Sequence, residues 1–179
     1  MAERYQIRPP HLDEADRLLI FGNRLLEETP FYLRSPGERA NTVAEMENII
    51  RWYAETPAQL MLNAFHDATP VAEAVLMGGR LQRTRRTALV GIGVLKAHQS
   101  AGLGRKLMAA LEEFALRSHI HRLELTVLSK NPRAREFYHR QGYQHEGVKR
   151  DAAFIDEAYV DEEMMAKLLP VLPEHDGTG

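Results

Sequence analysis

A six-residue loop with two glycines, Gln99-Ser100-Ala101-Gly102-Leu103-Gly104, constrains the fold of this chain more than any other segment. It follows a short, uncharged apolar run, Ala88 to Leu95, which predicts a buried strand. Beyond it, apolar residues spaced three and four apart predict the inward face of a helix; they are Leu103, Leu107, Ala110, Leu111 and Phe114. Glycines let a ligand approach the backbone, and free N–H groups at a helix N-terminus favour a phosphate. The segment therefore predicts a diphosphate site.

Two other phosphate-binding motifs do not fit this spacing. A P-loop needs Gly-Lys followed by Ser or Thr, and the chain contains no such triplet. A dinucleotide-binding fingerprint needs a third small residue where Leu107 stands. It also needs an acid at a strand end about 20 residues further on, whereas Glu124 lies inside its predicted strand.

Two segments of the chain resemble motifs of the GNAT superfamily of N-acetyltransferases. Gln99-x-x-Gly102-x-Gly104 after a strand is similar to the family's acetyl-CoA pyrophosphate motif. The segment from Asn131 to Tyr143 is similar to the family pattern Asn-x-x-Ala-x-x-Phe-Tyr-x-x-x-Gly-Phe/Tyr. With the predicted order of elements, the resemblance covers roughly residues 5 to 168. It implies an α/β (α+β) fold with a mixed, strongly bent central sheet of about seven strands and helices on both faces.

The resemblance implies that acetyl-CoA binds as a co-substrate. Its diphosphate would contact the loop and the first helical turn, which are Gln99, Ser100, Ala101, Gly102, Leu103, Gly104 and Arg105. Its pantetheine arm would pair with the backbone of Ile92, Gly93 and Val94, where the fourth and fifth strands separate. Gly91 and Gly93 are compatible with a bulge at that point.

The same resemblance assigns roles to two residues of the second motif. Asn131 matches an asparagine that hydrogen-bonds the cofactor arm, and it is also expected as a helix N-cap before Pro132. Tyr138 matches the tyrosine that contacts the cofactor and donates a proton to the departing thiolate.

The general base is less well defined by the sequence. Many relatives carry an acid on the fourth strand, where this chain has Leu89. Because an amine near pKa 10 is protonated at neutral pH, some group must accept its proton. Glu73 on the preceding strand is the first candidate, with His98, Glu124 and an ordered water as alternatives.

The C-terminal segments resemble one branch of the superfamily, which includes amino-acid, phosphinothricin and ribosomal-protein N-terminal acetyltransferases. We therefore expect transfer of an acetyl group to a primary amine of a small molecule, such as an amino acid. A protein N-terminal acetyltransferase and a non-catalytic acyl-CoA sensing module are the alternatives. Glu157 replaces a common glycine of the branch at the last turn. Four aromatic residues could line the acceptor pocket: Phe31, Tyr32, Trp52 and Tyr53.

Composition narrows the class of protein further. The 179 residues contain 23 Lys plus Arg against 25 Asp plus Glu, a net charge of −2 that argues against nucleic acid or an anionic membrane as the main partner. The absence of cysteine excludes disulfides and thiol catalysis. No histidine pair has the spacing of a zinc motif, so no metal is expected. Without an apolar leader or membrane span, we expect a cytoplasmic protein, and a homodimer by family habit.

Periodicity along the chain predicts one domain over residues 1–169 and a disordered tail over 170–179. The predicted elements come in the order β-α-α-β-β-β before the glycine loop and α-β-α-β-β after it. The last two strands, Tyr143 to Phe154 and Tyr159 to Leu169, are expected to form a hairpin. Four arginines, Arg80, Arg83, Arg85 and Arg86, are expected at the turn before the fourth strand.

Overall fold

A computed structural model describes residues 5–171, and the predicted disordered tail beyond residue 171 lies outside this range. The helices are α1 (Ala15–Glu28), α2 (Val43–Glu55), α3 (Leu103–Arg117) and α4 (Pro132–Arg140). The strands are β1 (Gln6–Arg8), β2 (Gln59–His66), β3 (Thr69–Gly78), β4 (Thr87–Val94), β5 (Arg122–Leu128), β6 (Gln144–Ile155) and β7 (Ala158–Leu168). This is the predicted order, and most bounds agree with the predicted ones to within one or two residues.

The described strands form one seven-stranded sheet in the order β1-β2-β3-β4-β5-β7-β6. The pairing is antiparallel everywhere except between β4 and β5, which are parallel. A parallel neighbour needs a long crossover, which α3 provides. The predicted mixed sheet is therefore confirmed.

Helices cover both faces of this sheet, as predicted. Along β3, alternate residues Ala72, Ala74 and Leu76 belong to the apolar core that contains the buried side of α3. Glu73 lies between them, and its side chain bonds Arg39 in the α1–α2 loop. Because successive strand residues point to opposite faces, α3 and the α1–α2 region lie on opposite sides of the sheet. We call these the α3 face and the α1 face.

The parallel pairing of β4 and β5 ends early. Cross-strand pairs join Thr87 to Arg122, Ala88 to Leu123 and Leu89 to Glu124, and the described strands then separate while both continue. β4 runs on to Val94 and β5 to Leu128 without pairing to each other. The expected gap between these strands is therefore present in the middle of the sheet. We call it the β4–β5 gap.

Gly91 and Gly93, whose sequence is compatible with a bulge, form none against β3. Within the described strands, β3 and β4 keep an unbroken register from Ala72 opposite Val94 to Gly78 opposite Ala88. Beyond the Leu89–Glu124 pair, β4 has no partner strand on its β5 side among the described strands, whereas β5 stays paired with β7 along its whole length. The two glycines of β4 therefore need another explanation.

β6 and β7 form the expected closing hairpin, with register shifts at His145/Gly147 and Lys149/Ala153. At its tip, Asp156 and Glu157 have φ values of 50° and 58°. Two left-handed residues between paired strands are typical of a type I′ turn. Glu157 thus keeps the backbone conformation that the expected glycine would have.

Helix start and stop signals in the sequence explain two of the bounds. The Thr42 side chain accepts a hydrogen bond from the Glu45 N–H and so caps α2, and Pro57 stands just beyond the C-terminal end of that helix. Among residues 5–171, no helix combines the length and apolarity needed to span a bilayer.

Candidate active site

The glycine loop leads into α3 with its backbone turned toward solvent. Ser100, Ala101 and Gly102 are exposed, and Ser100 and Gly102 have left-handed φ values of 67° and 76°. Gly102 is the N-cap of α3, and a Cβ added there would meet no described atom within 4 Å. The first N–H groups of a helix have no partner inside the helix. This open space beside unpaired amides fits a diphosphate, and any side chain at position 102 would fill it.

The other predicted loop residues have different surroundings. Leu103 is fully buried in the core, so only its backbone is available to a ligand. A Cβ at Gly104 would lie 3.2 Å from the Phe137 ring, which explains a glycine there by close packing of α3 on α4. Arg105 is exposed in the first turn of α3, with its charge free to approach an anion.

Gln99 connects β4 to α4 through its side chain. Its Nε2 donates to the Val94 carbonyl at 3.0 Å, and its Oε1 accepts from Arg133. Both ends of the amide are therefore engaged inside the protein. The Gln99 side chain therefore positions the loop, and only the backbone of this residue is left to contact a ligand.

The edge of β4 presents alternate backbone groups to the β4–β5 gap. Leu95 N–H donates to Val71 O, and Gly79 N–H donates to Thr87 O, so odd-numbered β4 residues direct their polar groups to β3. The N–H and C=O of Ile92 and Val94 consequently face the gap. Gly93 pairs with Glu73 on β3 instead, so its backbone is not expected to bond a cofactor arm.

Asn131 has the structural role expected of it. It is the N-cap of α4, and its Oδ1 accepts a hydrogen bond from the Ala134 N–H at 3.1 Å. The residue is half-buried at the end of β5, beside the mouth of the gap. Its Nδ2 group stays available for a second partner, since the cap uses only the oxygen.

Tyr138 is buried on α4, between the rings of Phe137 and Tyr143 at centroid distances of 5.3 and 5.6 Å. Burial raises the pKa of its hydroxyl above the ordinary value. The phenol therefore stays protonated at neutral pH and keeps a proton to donate. Within residues 5–171 the structure gives this hydroxyl no hydrogen bond, which leaves it free for a bound sulfur.

Glu73 forms an ion pair that the sequence did not predict. The Arg39 guanidinium donates to Glu73 Oε2 at 2.7 Å, and the two side chains are only 10% and 11% exposed. Burial opposes the charge of Arg39, but the attraction and hydrogen bond of Glu73 outweigh it and raise the pKa of Arg39. Oε1 of Glu73 has no hydrogen bond within the described residues.

Tyr32 connects this ion pair to the edge of the gap. Its hydroxyl donates to the Ile92 carbonyl at 3.0 Å. Burial, and then the negative charge of Glu73, raise its pKa. Burial and Glu73 also raise the pKa of Tyr53 to about 12. Tyr32 lies over Gly93, and Gly93 pairs with Glu73, so Tyr32 and Glu73 belong to one site.

Comparison with known proteins identifies the family. The sequence model of the Acetyltransferase (GNAT) family matches residues 24–143, about two thirds of the chain. The chain belongs to the GNAT acetyltransferase family. It is therefore an acetyl-CoA-dependent N-acetyltransferase. A comparison with curated proteins finds no match.

Solved GNAT structures share the whole fold. An acetyltransferase of the GNAT family from Streptococcus pneumoniae is 29% identical, with a TM-score of 0.87 over 93% of this chain and 99% of that one. A ribosomal-protein-alanine N-acetyltransferase from Brucella melitensis is 19% identical, with a TM-score of 0.81 over 92% and 99%. A phosphinothricin acetyltransferase from Sinorhizobium meliloti, in complex with acetyl-CoA, is 12% identical, with a TM-score of 0.79 over 93% and 89%.

The two alternative bases of this GNAT domain have other partners. His98 lies near the end of β2, where its Nδ1 is 3.2 Å from the Tyr5 hydroxyl and its ring packs on Tyr5 and His66. Glu124 lies opposite Leu89 at the closed end of the β4–β5 gap, and Arg122 donates to it at 2.8 Å. Of the three carboxylate and imidazole candidates, Glu73 is the one directly paired across the sheet with Gly93.

The remaining predicted residues of the GNAT domain divide in two groups. Tyr32 and Tyr53 lie at the Glu73 ion pair, whereas Phe31 and Trp52 are 40% and 38% exposed.

Arg80, Arg83 and Arg85 are exposed at the β3–β4 connection, at the end of β4 remote from the glycine loop. In the described part of the chain, no three histidines or acids come together as metal ligands would.

Proposed function

We propose that this GNAT enzyme acetylates the primary amine of a small molecule, with an α-amino acid as the preferred class. The observation that carries the proposal is the buried Arg39–Glu73 ion pair beside the β4–β5 gap. Such a pair costs desolvation energy, and well-packed apolar residues would often be at least as stable. A pair of opposite charges is complementary to a zwitterion. The α-carboxylate would bind Arg39, and the α-amine would approach Glu73.

Acetyl-CoA would be held by the groups described above. The diphosphate would lie on the amides of residues 100–105. The pantetheine arm would accept hydrogen bonds from the N–H groups of Ile92 and Val94, whose carbonyls already accept from Tyr32 and Gln99. Asn131 would bond the arm through its free Nδ2 group. Bound in this way, acetyl-CoA supplies an activated acyl group as a thioester.

Proton transfers complete the reaction. Glu73, or a water bonded to its Oε1, accepts the proton of the substrate ammonium. The amine nitrogen forms a bond to the thioester carbonyl carbon, the carbon–sulfur bond breaks, and the nitrogen passes its second proton to water. Tyr138 donates its hydroxyl proton to the thiolate sulfur and regains a proton from that water. Since burial raises the pKa of Tyr138, its contribution is a positioned hydrogen bond in a dry site rather than strong acidity.

A panel of matched amines tests the proposal. Free CoA thiol would be measured after adding acetyl-CoA with an amino acid, its carboxamide, its decarboxylated amine, or a short peptide with a free N-terminus. We expect the amino acid to have the highest kcat/KM. Replacing Arg39 with Gln should raise KM for the amino acid while changing KM for the decarboxylated amine little.

Other outcomes favour the alternatives. Preference for the peptide would indicate a protein N-terminal acetyltransferase. Tight acetyl-CoA binding in calorimetry without thiol release for any amine would indicate a sensing module. The cytoplasmic location and the homodimer expected from the sequence stay predictions.

A further inference from the structure

Tyr32 covers the β4 backbone at Gly93. An added Cβ on Gly93 would lie 1.9 Å from the Tyr32 hydroxyl oxygen and 2.5 Å from Leu25 Cδ2. Not even one methyl group fits between β4 and these two side chains. Glycine at position 93 is therefore explained by the close approach of Tyr32 and Leu25.

The ring of Tyr32 is fixed in this position. Its hydroxyl bonds the Ile92 carbonyl, and its side chain packs with the apolar cluster of α1 and α2. Leu25 comes from the buried face of α1 and is 5% exposed. Moving the ring aside would break a hydrogen bond and disturb packing, so the α1 face of β4 is closed at this point.

The proposed mechanism puts the acyl group next to this closed surface. The sulfur must reach the Tyr138 hydroxyl for the proton transfer. The acyl carbon is bonded to that sulfur, and the cofactor arm follows the edge of Ile92 and Val94, where the Tyr32 hydroxyl is bonded. The Tyr32 hydroxyl and Leu25 thus close the α1 face of β4 beside this path.

We propose that Tyr32, with Leu25 behind it, limits the acyl group that this enzyme transfers to acetyl. This inference rests on the proposed function, because it uses the proposed path of the cofactor arm. A propionyl group carries one more methylene, which a closed pocket discriminates against by about 10- to 200-fold. A smaller residue at position 32 opens the space that this methylene needs.

The test compares acetyl-CoA with propionyl-CoA at a fixed amine. The parent should show a kcat/KM ratio of at least about tenfold in favour of acetyl-CoA. Tyr32→Ala should bring this ratio close to one. Tyr32→Phe keeps the ring and should keep most of the preference. Tyr53→Ala removes another tyrosine beside the same ion pair, without touching Gly93, and should leave the ratio as in the parent.

Three results would overturn the inference: a parent that uses both donors equally, an unchanged ratio in Tyr32→Ala, or an equal relaxation in Tyr53→Ala. If Tyr32→Ala does not fold, Leu25→Ala opens the same space and should relax the ratio in the same direction. If no amine is acetylated, the proposed function fails. Calorimetry then tests the acyl limit without turnover. It compares the affinities for acetyl-CoA and propionyl-CoA in the parent with the same two affinities in Tyr32→Ala.

Discussion

Leu89 lies directly opposite Glu124, and this is the last cross-strand pair of β4 and β5 before the two described strands separate. Leu89 brings no carboxylate to this position, and the residue opposite it on β5, Glu124, brings one. That carboxylate is held by Arg122, which also binds Glu146. The closed end of the gap is therefore an ionic cluster, and Glu73 lies further along, beside Gly93.

Replacing Glu73 with Gln should lower turnover most at pH values below the pKa of the substrate amine. A general base matters most when the amine arrives protonated, and the amide cannot accept the proton. The measurement is kcat/KM against pH for the parent, Glu73→Gln and Glu124→Gln. We expect the profile of Glu124→Gln to follow the parent. Identical profiles for Glu73→Gln and the parent would show that water, and not Glu73, accepts the proton of the amine.

The Tyr138→Phe variant should keep its fold and its acetyl-CoA affinity but lose turnover by roughly 10²- to 10⁴-fold, the usual effect of losing a general acid. Tyr143→Phe is a matched control, because that ring packs 5.6 Å from Tyr138 and its buried hydroxyl has no partner within the described residues. The control should keep full turnover. Turnover within about twofold of the parent in Tyr138→Phe, where chemistry limits the rate, would show that solvent supplies the proton.

A side chain at Gly102 should weaken acetyl-CoA binding by about tenfold or more, or about 1.4 kcal/mol. The reason is that position 102 faces the space proposed for the diphosphate. Two variants separate filling of the diphosphate space from backbone strain. Gly102→Val also strains the left-handed backbone, whereas Gly102→Asn tolerates that conformation. Calorimetry should show a loss of affinity in both. Unchanged affinity in a folded Gly102→Asn would remove the diphosphate from this position.

Glu14 should make the fold sensitive to acid. The hydrogen bond from Arg8, aided by the His11 N–H and opposed by burial, lowers the pKa of Glu14 to about 2 from its usual 4.5. A lowered folded-state pKa stabilises the protein above pH 4.5, and this contribution is lost as the pH falls from 4.5 toward 2. Urea unfolding of the parent and Glu14→Gln should differ by on the order of 2 kcal/mol at pH 7. The difference should shrink across that interval, and a constant difference would contradict the assignment.

The elements of the fold could be predicted because their signals are local. The faces of α3, the glycine loop and the alternation along β5 each come from residues within a few positions of one another. The same holds for the N-cap at Asn131 and for the packing of Tyr138 beside Phe137, which are adjacent in one motif.

The acceptor side of the site could not be predicted in this way. Arg39 and Glu73 are 34 positions apart, and Tyr32 and Ile92 are 60 apart. Arg39 and Tyr32 lie in the irregular α1–α2 loop, where no periodicity shows which side chains turn inward. Gly93 carried a signal, but the sequence cannot say whether a glycine admits a cofactor, a bulge or a tyrosine ring.

The separation of β4 from β5 gives this enzyme two sheet edges in its interior, in addition to those at the sides. Unpaired edges invite association with other chains, and folded proteins usually protect them. Here the cofactor arm proposed to lie along Ile92 and Val94 would act as a replacement strand. Any ligand that binds only the folded chain also stabilises it by mass action. The supply of acyl donor in a cell should therefore govern how long this protein resists aggregation and proteolysis, as well as how fast it works.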